Sequence, residues 1–223
     1  MTRRQFLDPH WTYLFQVKLA VRSLLPLAVF SLSALSAADR LITIPTGSKI
    51  KLDTIRAEGL WEQSRSRNSR YYIGAGLTNA IDFEFTGERF DGHRFRNSVD
   101  LSYNYIPPII GFGPGISFGV QDAFGVTRGG RRFFLAITTR EGFADSVSGA
   151  VPAEITIGAY FGSVNAPFVG VMLPFTDYVR ALAEFDGRRI NAGVEFRPMA
   201  NLGLRATFER NDVLIGAQVT LKF

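Results

Sequence analysis

The sequence predicts an all-β fold, an antiparallel transmembrane β-barrel of about 12 strands, with 10–14 as the range. Three observations support this prediction. An apolar stretch near the N-terminus has the features of an export signal. From about residue 50 to the C-terminus, apolar and polar residues alternate with a period of two between turn signals. The last of these alternating segments ends on a C-terminal aromatic residue, Phe223.

Residues 1–38 are predicted to be a signal peptide, followed by an outer-membrane β-barrel domain over residues 39–223. Four basic residues, from Arg3 to Arg22, precede the apolar run "LLPLAVFSLSALSA", and small residues then suit cleavage after Ser36 or Ala38. The run is short for a spanning helix, which needs roughly 20 residues. An N-terminal membrane anchor is the alternative interpretation.

The charge of the chain depends strongly on this leader. The full sequence has a net charge of +5, but the leader holds four Lys/Arg and one Asp, which leaves 21 basic and 19 acidic residues. Because the remaining excess is small, the basic pI is no argument for nucleic-acid binding. The chain has no cysteine, so the fold must be stable without disulfides.

The predicted strands are separated by pairs such as Asp186-Gly187, which are typical of hairpin turns. They cover residues 50–61, 70–78, 81–90, 94–105, 113–122, 131–139, 153–161, 166–173, 178–186, 189–197, 202–209 and 212–223. Residues 139–152 depart from the pattern, because twelve strands with periplasmic termini place this long segment on the side where turns are short. Either the strand count differs, or the segment has a role there.

The alternation itself fits two architectures. Ile190 and Phe196 lie on one face of a predicted strand, and Glu195 and Arg197 lie on the other. A soluble periplasmic β protein would turn the apolar face inward, whereas a membrane barrel turns it towards lipid and keeps the lumen polar. The leader, the number of strands, the bulky charges of both signs and the aromatic content of 13% favour the membrane barrel.

The charged face predicts a lumen charge network that pairs across neighbouring strands and narrows or blocks the pore. The alternative is that these charges only fill and solvate the lumen. The residues concerned are Glu184, Asp186, Arg189, Glu195, Arg197, Arg205 and Glu209.

The final stretch "VLIGAQVTLKF" resembles the sorting signal of bacterial outer-membrane barrels, with Val219, Leu221 and Phe223 as the assembly signal. This resemblance implies a location in the cell outer membrane. It also implies the barrel-assembly machinery, outer-membrane lipid and lipopolysaccharide as partners.

Catalytic and metal sites have little support in the sequence, so we predict no enzyme activity, no cofactor and no metal. His93 is the one histidine beyond the leader, and with Asp91 and Ser98 nearby it suggests an outer-membrane lipid hydrolase or deacylase as the alternative function. Carboxylates such as Asp82 and Glu84 could bind calcium, but on a strand they more often form one polar face. The basic stretches at residues 64–70 and 128–132 are predicted surface loops, which could meet lipopolysaccharide phosphates or acidic polysaccharide.

Residues 167–198 resemble the C-terminal barrel repeats of the YjbH-type outer-membrane proteins, which accompany exopolysaccharide secretion. The hairpin "AEFDGRRINAGVEFRP" carries the pattern, with Glu184, Asp186, Gly187, Asn191 and Gly193 at its centre. The resemblance implies a barrel, brings no catalytic motif, and implies polysaccharide as a further partner.

Overall fold

Twelve antiparallel strands close into one barrel in the computed structural model, which describes residues 40–63, 68–90, 93–142, 151–209 and 212–223. The predicted fold class and strand number are confirmed; the predicted signal peptide lies outside the described residues. The strands are β1 (Thr54–Glu62), β2 (Ser69–Gly76), β3 (Ile81–Arg89), β4 (Arg96–Ile106), β5 (Gly115–Gln121), β6 (Arg132–Glu141), β7 (Ala153–Gly162), β8 (Ala166–Pro174), β9 (Val179–Phe185), β10 (Ile190–Met199), β11 (Leu202–Glu209) and β12 (Asp212–Lys222).

Each strand pairs with its sequence neighbour, and β1 pairs with β12 to close the sheet. The closing register runs from Thr54 opposite Lys222 to Glu62 opposite Leu214. Closure leaves no free sheet edge, so the backbone groups of the wall are paired within the wall itself, as a hydrocarbon surrounding requires.

The period of two sorts the side chains by face. In β10, Glu195 and Arg197 are buried inside the barrel, whereas Val194 and Phe196 are exposed on its outer surface. The other strands follow the same rule, and large apolar side chains such as Phe133, Ile157 and Phe208 are more than half exposed. The apolar faces therefore point outward, which is the arrangement of a membrane barrel and the opposite of a soluble one.

The barrel has two different ends. The terminal end carries the start of β1 and the end of β12, and the loop end carries the β1–β2, β3–β4, β5–β6, β7–β8, β9–β10 and β11–β12 connections. Of the long segment predicted at 139–152, residues 139–141 belong to β6, whose end lies at the terminal end of the barrel, and residues 143–150 lie outside the described part of the chain. The described residues contain no helix that is long and apolar enough to cross a membrane.

The first predicted strand needs a correction. It was expected from residue 50, within a barrel domain starting at residue 39, but β1 begins at Thr54. Residues 40–53, which we call the inner segment, are not part of the wall: residues 40–50 lie inside the barrel, and residues 51–53 are exposed at its terminal end. Asp53 has a left-handed backbone with φ of 58°, a conformation that Asp tolerates better than most residues, and the chain turns there from the lumen into β1.

Candidate functional site

The lumen is occupied by the inner segment. Leu41, Ile42 and Ile44 are at most 4% exposed, because the wall of the barrel surrounds them. They form an apolar cluster with inward-facing wall residues, namely Phe134, Ala136, Tyr160, Phe168, Met172 and Leu182. A hydrophobic contact of this kind in an otherwise polar lumen stabilises the segment in one position.

Glu184 on β9 anchors the upper part of the inner segment, which is residues 42–44 and lies nearer the loop end. Its carboxylate accepts hydrogen bonds from the backbone N–H groups of Ile42 at 2.9 Å, Thr43 at 3.0 Å and Ile44 at 3.3 Å. The Thr43 hydroxyl donates to the same carboxylate at 2.5 Å, and Asn191 Nδ2 donates at 2.9 Å. One buried carboxylate thus satisfies three successive amides that would otherwise be unpaired, and hydrogen bonds to a charged acceptor are the stronger kind.

The lower part of the inner segment, around Thr46 and Gly47, is fixed by close contact between its backbone and the wall. Gly47 N–H donates to Thr138 Oγ1 at 2.6 Å, and Gly47 O accepts from Asn104 Nδ2. The Ser117 hydroxyl donates to the carbonyl of Thr46 at 2.5 Å. A Cβ atom on Gly47 would lie 2.5 Å from the carbonyl oxygen of Gly115, so only glycine allows the segment to approach the wall this closely.

A continuous ion-pair network crosses the lumen beside the inner segment. Arg40 of the segment contacts Glu58 at 2.5 Å and Glu84 at 3.0 Å, while Arg56 contacts Glu84 at 2.9 Å. Arg205 continues the chain by contacting Glu58 at 3.2 Å and Glu195 at 2.5 Å, and Arg197 and Arg180 also pair with Glu195. All of these side chains are at most 7% exposed, so little open space is left in the part of the lumen that holds the network.

The predicted lumen charges divide into four groups. Glu195, Arg197 and Arg205 belong to the ion-pair network, and Glu184 holds the inner segment. Glu209 lies nearer the loop end, where Arg70 contacts it at 2.5 Å.

Asp186 and Arg189 are the fourth group, and they are not part of the network because β9 ends at Phe185. The Asp186 carboxylate accepts the amides of Arg188 and Arg189 within the β9–β10 turn, and the Arg189 side chain is exposed.

Sequence reasoning did not assign five members of the network: Arg40 of the inner segment, Arg56 and Glu58 of β1, Glu84 of β3 and Arg180 of β9. The alternation of β1 was a usable signal, because it places Arg56 and Glu58 on one face. No such signal exists for Arg40, which makes its contacts from a segment without strand periodicity.

The carboxylates considered for calcium are occupied by protein groups: Asp82 accepts the amide of Ile50 at 3.1 Å, and Glu84 pairs with arginine. Within the described part of the chain, no three His, Asp or Glu side chains gather as metal ligands.

The predicted assembly signal lies on the outer surface. Val219, Leu221 and Phe223 all point outward and are between 38% and 77% exposed. The Phe223 amide donates to the carbonyl of Asp53 at 2.9 Å, which ties the C-terminus to the turn where the inner segment becomes β1.

His93 lies exposed in the β3–β4 connection at the loop end. Among the described residues its side chain has no hydrogen bond to a serine or an acid; Asp91 lies outside them. Ser98 is fully buried, and its hydroxyl donates to Asp122 at 2.6 Å. The structure therefore does not bring His93 and Ser98 together as a nucleophile and its base.

Comparison with solved structures finds other barrels of the same kind. The chain is similar to the outer membrane protein Omp33 of Acinetobacter baumannii, with 9% identity, a TM-score of 0.50, and coverage of 76% of this chain and 97% of that one. It also matches the N-terminal β-barrel domain of Pseudomonas aeruginosa OprF, with 12% identity, a TM-score of 0.26, and coverage of 76% and 98%. A de novo designed transmembrane β-barrel matches with 9% identity, a TM-score of 0.27, and coverage of 77% and 98%.

The similarity to Omp33 supports the barrel fold and nothing finer. No protein-family model matches the sequence, and no curated protein matches it.

Proposed function

We propose that this chain is an outer-membrane β-barrel whose lumen is closed by its own inner segment. The observation that carries the proposal is the occupied lumen: residues 40–50 are held there by an apolar cluster, by Glu184 and by the ion-pair network. Solutes would then cross only if the inner segment moves. The proposed role is not enzymatic, and the terminal end faces the periplasm.

The distribution of charge supports membrane insertion. The charged residues within strands share the inward-facing parity, apart from Arg89 and Glu141 at the last positions of β3 and β6. A mid-membrane Arg or Lys on the lipid face would cost about 2–4 kcal/mol, and the sequence avoids that cost throughout the wall. Outer-membrane lipid, lipopolysaccharide and the barrel-assembly machinery are the partners that this placement requires.

Heat-modifiability tests the placement directly. Membranes from an expressing Gram-negative host are fractionated, and boiled and unboiled samples are compared on an SDS gel. We expect an outer-membrane band that migrates differently before and after boiling, because a closed barrel unfolds slowly in detergent. A soluble periplasmic band without a shift would contradict the proposal.

Association with envelope polysaccharide is a second candidate role. The resemblance of residues 167–198 to YjbH-type barrels favours it, and three of the five central residues of that pattern contribute to lumen closure in this chain. Glu184 holds the inner segment, Asn191 supports Glu184, and a Cβ on Gly193 would lie 3.6 Å from Ile42 Cδ1. The two roles are compatible, since a closed barrel can serve as a structural component of a polysaccharide assembly.

A further inference from the structure

A cavity of about 330 Å³ lies at the loop end, above the inner segment. We call it the vestibule. Arg40 and Thr43 of the inner segment belong to its lining, and exposed arginines such as Arg188 and Arg189 lie on its rim. Its volume is within the range of about 300–1,000 Å³ that small-molecule sites occupy. Nothing in the proposed closure of the lumen requires this cavity.

The acidic residues of the vestibule are already engaged with protein groups. Glu88 and Glu209 both contact Arg70, and Asp186 accepts two amides of its own turn. The remaining carboxylates accept hydrogen bonds as well: Asp100 from the Asp122 amide, Asp122 from the β5–β6 loop, and Asp212 from Asn68. None of these contacts joins a carboxylate to the guanidinium group of an arginine other than Arg70.

Four arginines of the vestibule lack such a partner. Arg89, Arg132, Arg188 and Arg189 line the cavity, and none forms a salt bridge with a described residue. Arg89 lies 5.1 Å from the centre of the Phe95 ring and Arg132 lies 4.7 Å from that of Tyr160, so an aromatic face holds each without neutralising it. These guanidinium groups keep N–H donors without a salt-bridge partner, and the natural partner of such donors is an oxyanion.

The rim is also fixed before any ligand arrives. The Asp122 carboxylate accepts hydrogen bonds from the Ser98 hydroxyl at 2.6 Å and from the amides of Val126 and Thr127 at 2.9 and 2.7 Å. Burial alone would raise the pKa of Asp122, but these hydrogen bonds outweigh it and lower the pKa below its usual value. The β5–β6 loop therefore stays ordered on its ionised aspartate, and a rigid site loses less conformational freedom on binding.

We propose that the vestibule binds a soluble ligand that carries carboxylate or phosphate groups, such as an acidic sugar chain. Guanidinium groups bind both kinds of oxyanion through paired hydrogen bonds. A soluble ligand fits better than a lipid headgroup, because Arg132 faces the inside of the barrel, Arg188 and Arg189 line its mouth, and only Arg89 has the lipid-facing parity. The inference does not depend on whether the lumen conducts.

Calorimetric titration of the full barrel in detergent micelles tests this. The probes are a linear tetramer of galacturonate, inorganic pyrophosphate and, as the uncharged control, maltotetraose. We expect one or both anions to bind, maltotetraose not to bind, and affinity to fall as salt is added. In R188A/R189A the affinity should fall at least about tenfold, because two charge-assisted contacts are lost.

The matched control is R94A/R96A, which removes two exposed arginines of the same end that do not line the cavity. It should bind as the unchanged chain does, and heat-modifiability should show that both variants are folded. The inference is overturned if neither anion binds, or if both variants lose affinity equally. Binding of lipopolysaccharide micelles, but of neither soluble anion, in a way that R188A/R189A abolishes would also overturn it, in favour of a lipid headgroup.

Discussion

A chain in which the predicted leader is joined directly to Asp53 will form a conducting pore, whereas the intact barrel will conduct poorly. The wall should still close, because β1 and β12 pair from Thr54 onward and need none of the deleted residues. The deletion removes Leu41, Ile42 and Ile44 from the apolar cluster, and it removes the Arg40 contacts that fill the lumen. Barrels grow wider with strand number, and only small ones are filled by wall side chains alone. In planar bilayers we expect single-channel conductance to rise roughly tenfold or more.

A point variant gives the same test with less disturbance. Gly47→Val places a side chain against the Gly115 backbone and should displace the lower part of the inner segment from the wall. We expect conductance to rise, but by less than in the deleted chain. Gly113→Val is the matched control, because a Cβ at Gly113 meets nothing within 4 Å. If the deleted chain is heat-modifiable, hence folded, and still conducts no better than the intact one, the wall and not the inner segment closes the lumen.

Arg205→Ala will cause the largest loss of stability of any single charge removal in the lumen. Arg205 contacts both Glu58 and Glu195, and its Nη1 donates to the carbonyl of Leu41 at 3.0 Å. All three side chains are at most 3% exposed, so two carboxylates would lose a partner that water does not readily replace. Removing one member of a buried ion pair costs about 3–5 kcal/mol. We expect a fall of that order in the free energy of unfolding, measured by urea titration in lipid vesicles.

The change should also loosen the inner segment, because Leu41 loses its hydrogen bond to the wall. Conductance should therefore rise in Arg205→Ala, and further when Arg197→Ala is added. Arg197→Ala alone should cost less stability, since Glu195 keeps Arg205. Arg94→Ala is the surface control and should change stability by less than about 0.5 kcal/mol. Equal stability of Arg205→Ala and Arg94→Ala would show that the network does not hold the lumen together.

The wall of this barrel could be predicted from the sequence because lipid on one side and polar groups on the other impose a period of two. A shift of one residue in β10 would bring Glu195 to the outer surface and Phe196 into the lumen, so the register is strongly constrained. The same logic placed Glu184 and Arg205 on the inner face.

The inner segment could not be predicted in the same way. It pairs through single backbone groups with residues far away in sequence: the amides of Ile42 and Ile44 reach Glu184, and Gly47 reaches Thr138. Contacts of this kind leave no periodic pattern in the sequence. The space for the segment comes from glycines of the wall, such as Gly170, which in the sequence look like any small residue of a strand. The turn residues Asp186 and Arg189 lie outside the ion-pair network because alternation continues across the hairpin while the strand itself ends at Phe185.

A cysteine cross-link measures the position of the inner segment directly, since the chain has no cysteine of its own. A Cβ at Gly170 would lie 2.6 Å from Ile44 Cδ1, so I44C/G170C places two thiols near disulfide distance. I44C/G203C is the control, because a Cβ at Gly203 has Arg197 and Gln218 as its neighbours and no residue of the inner segment. In outer-membrane fractions under mild oxidation, we expect a high yield of the 44–170 disulfide and almost none of 44–203. Absence of the 44–170 disulfide in a heat-modifiable barrel, or equal yields from both pairs, would contradict a lumen closed by residues 40–50.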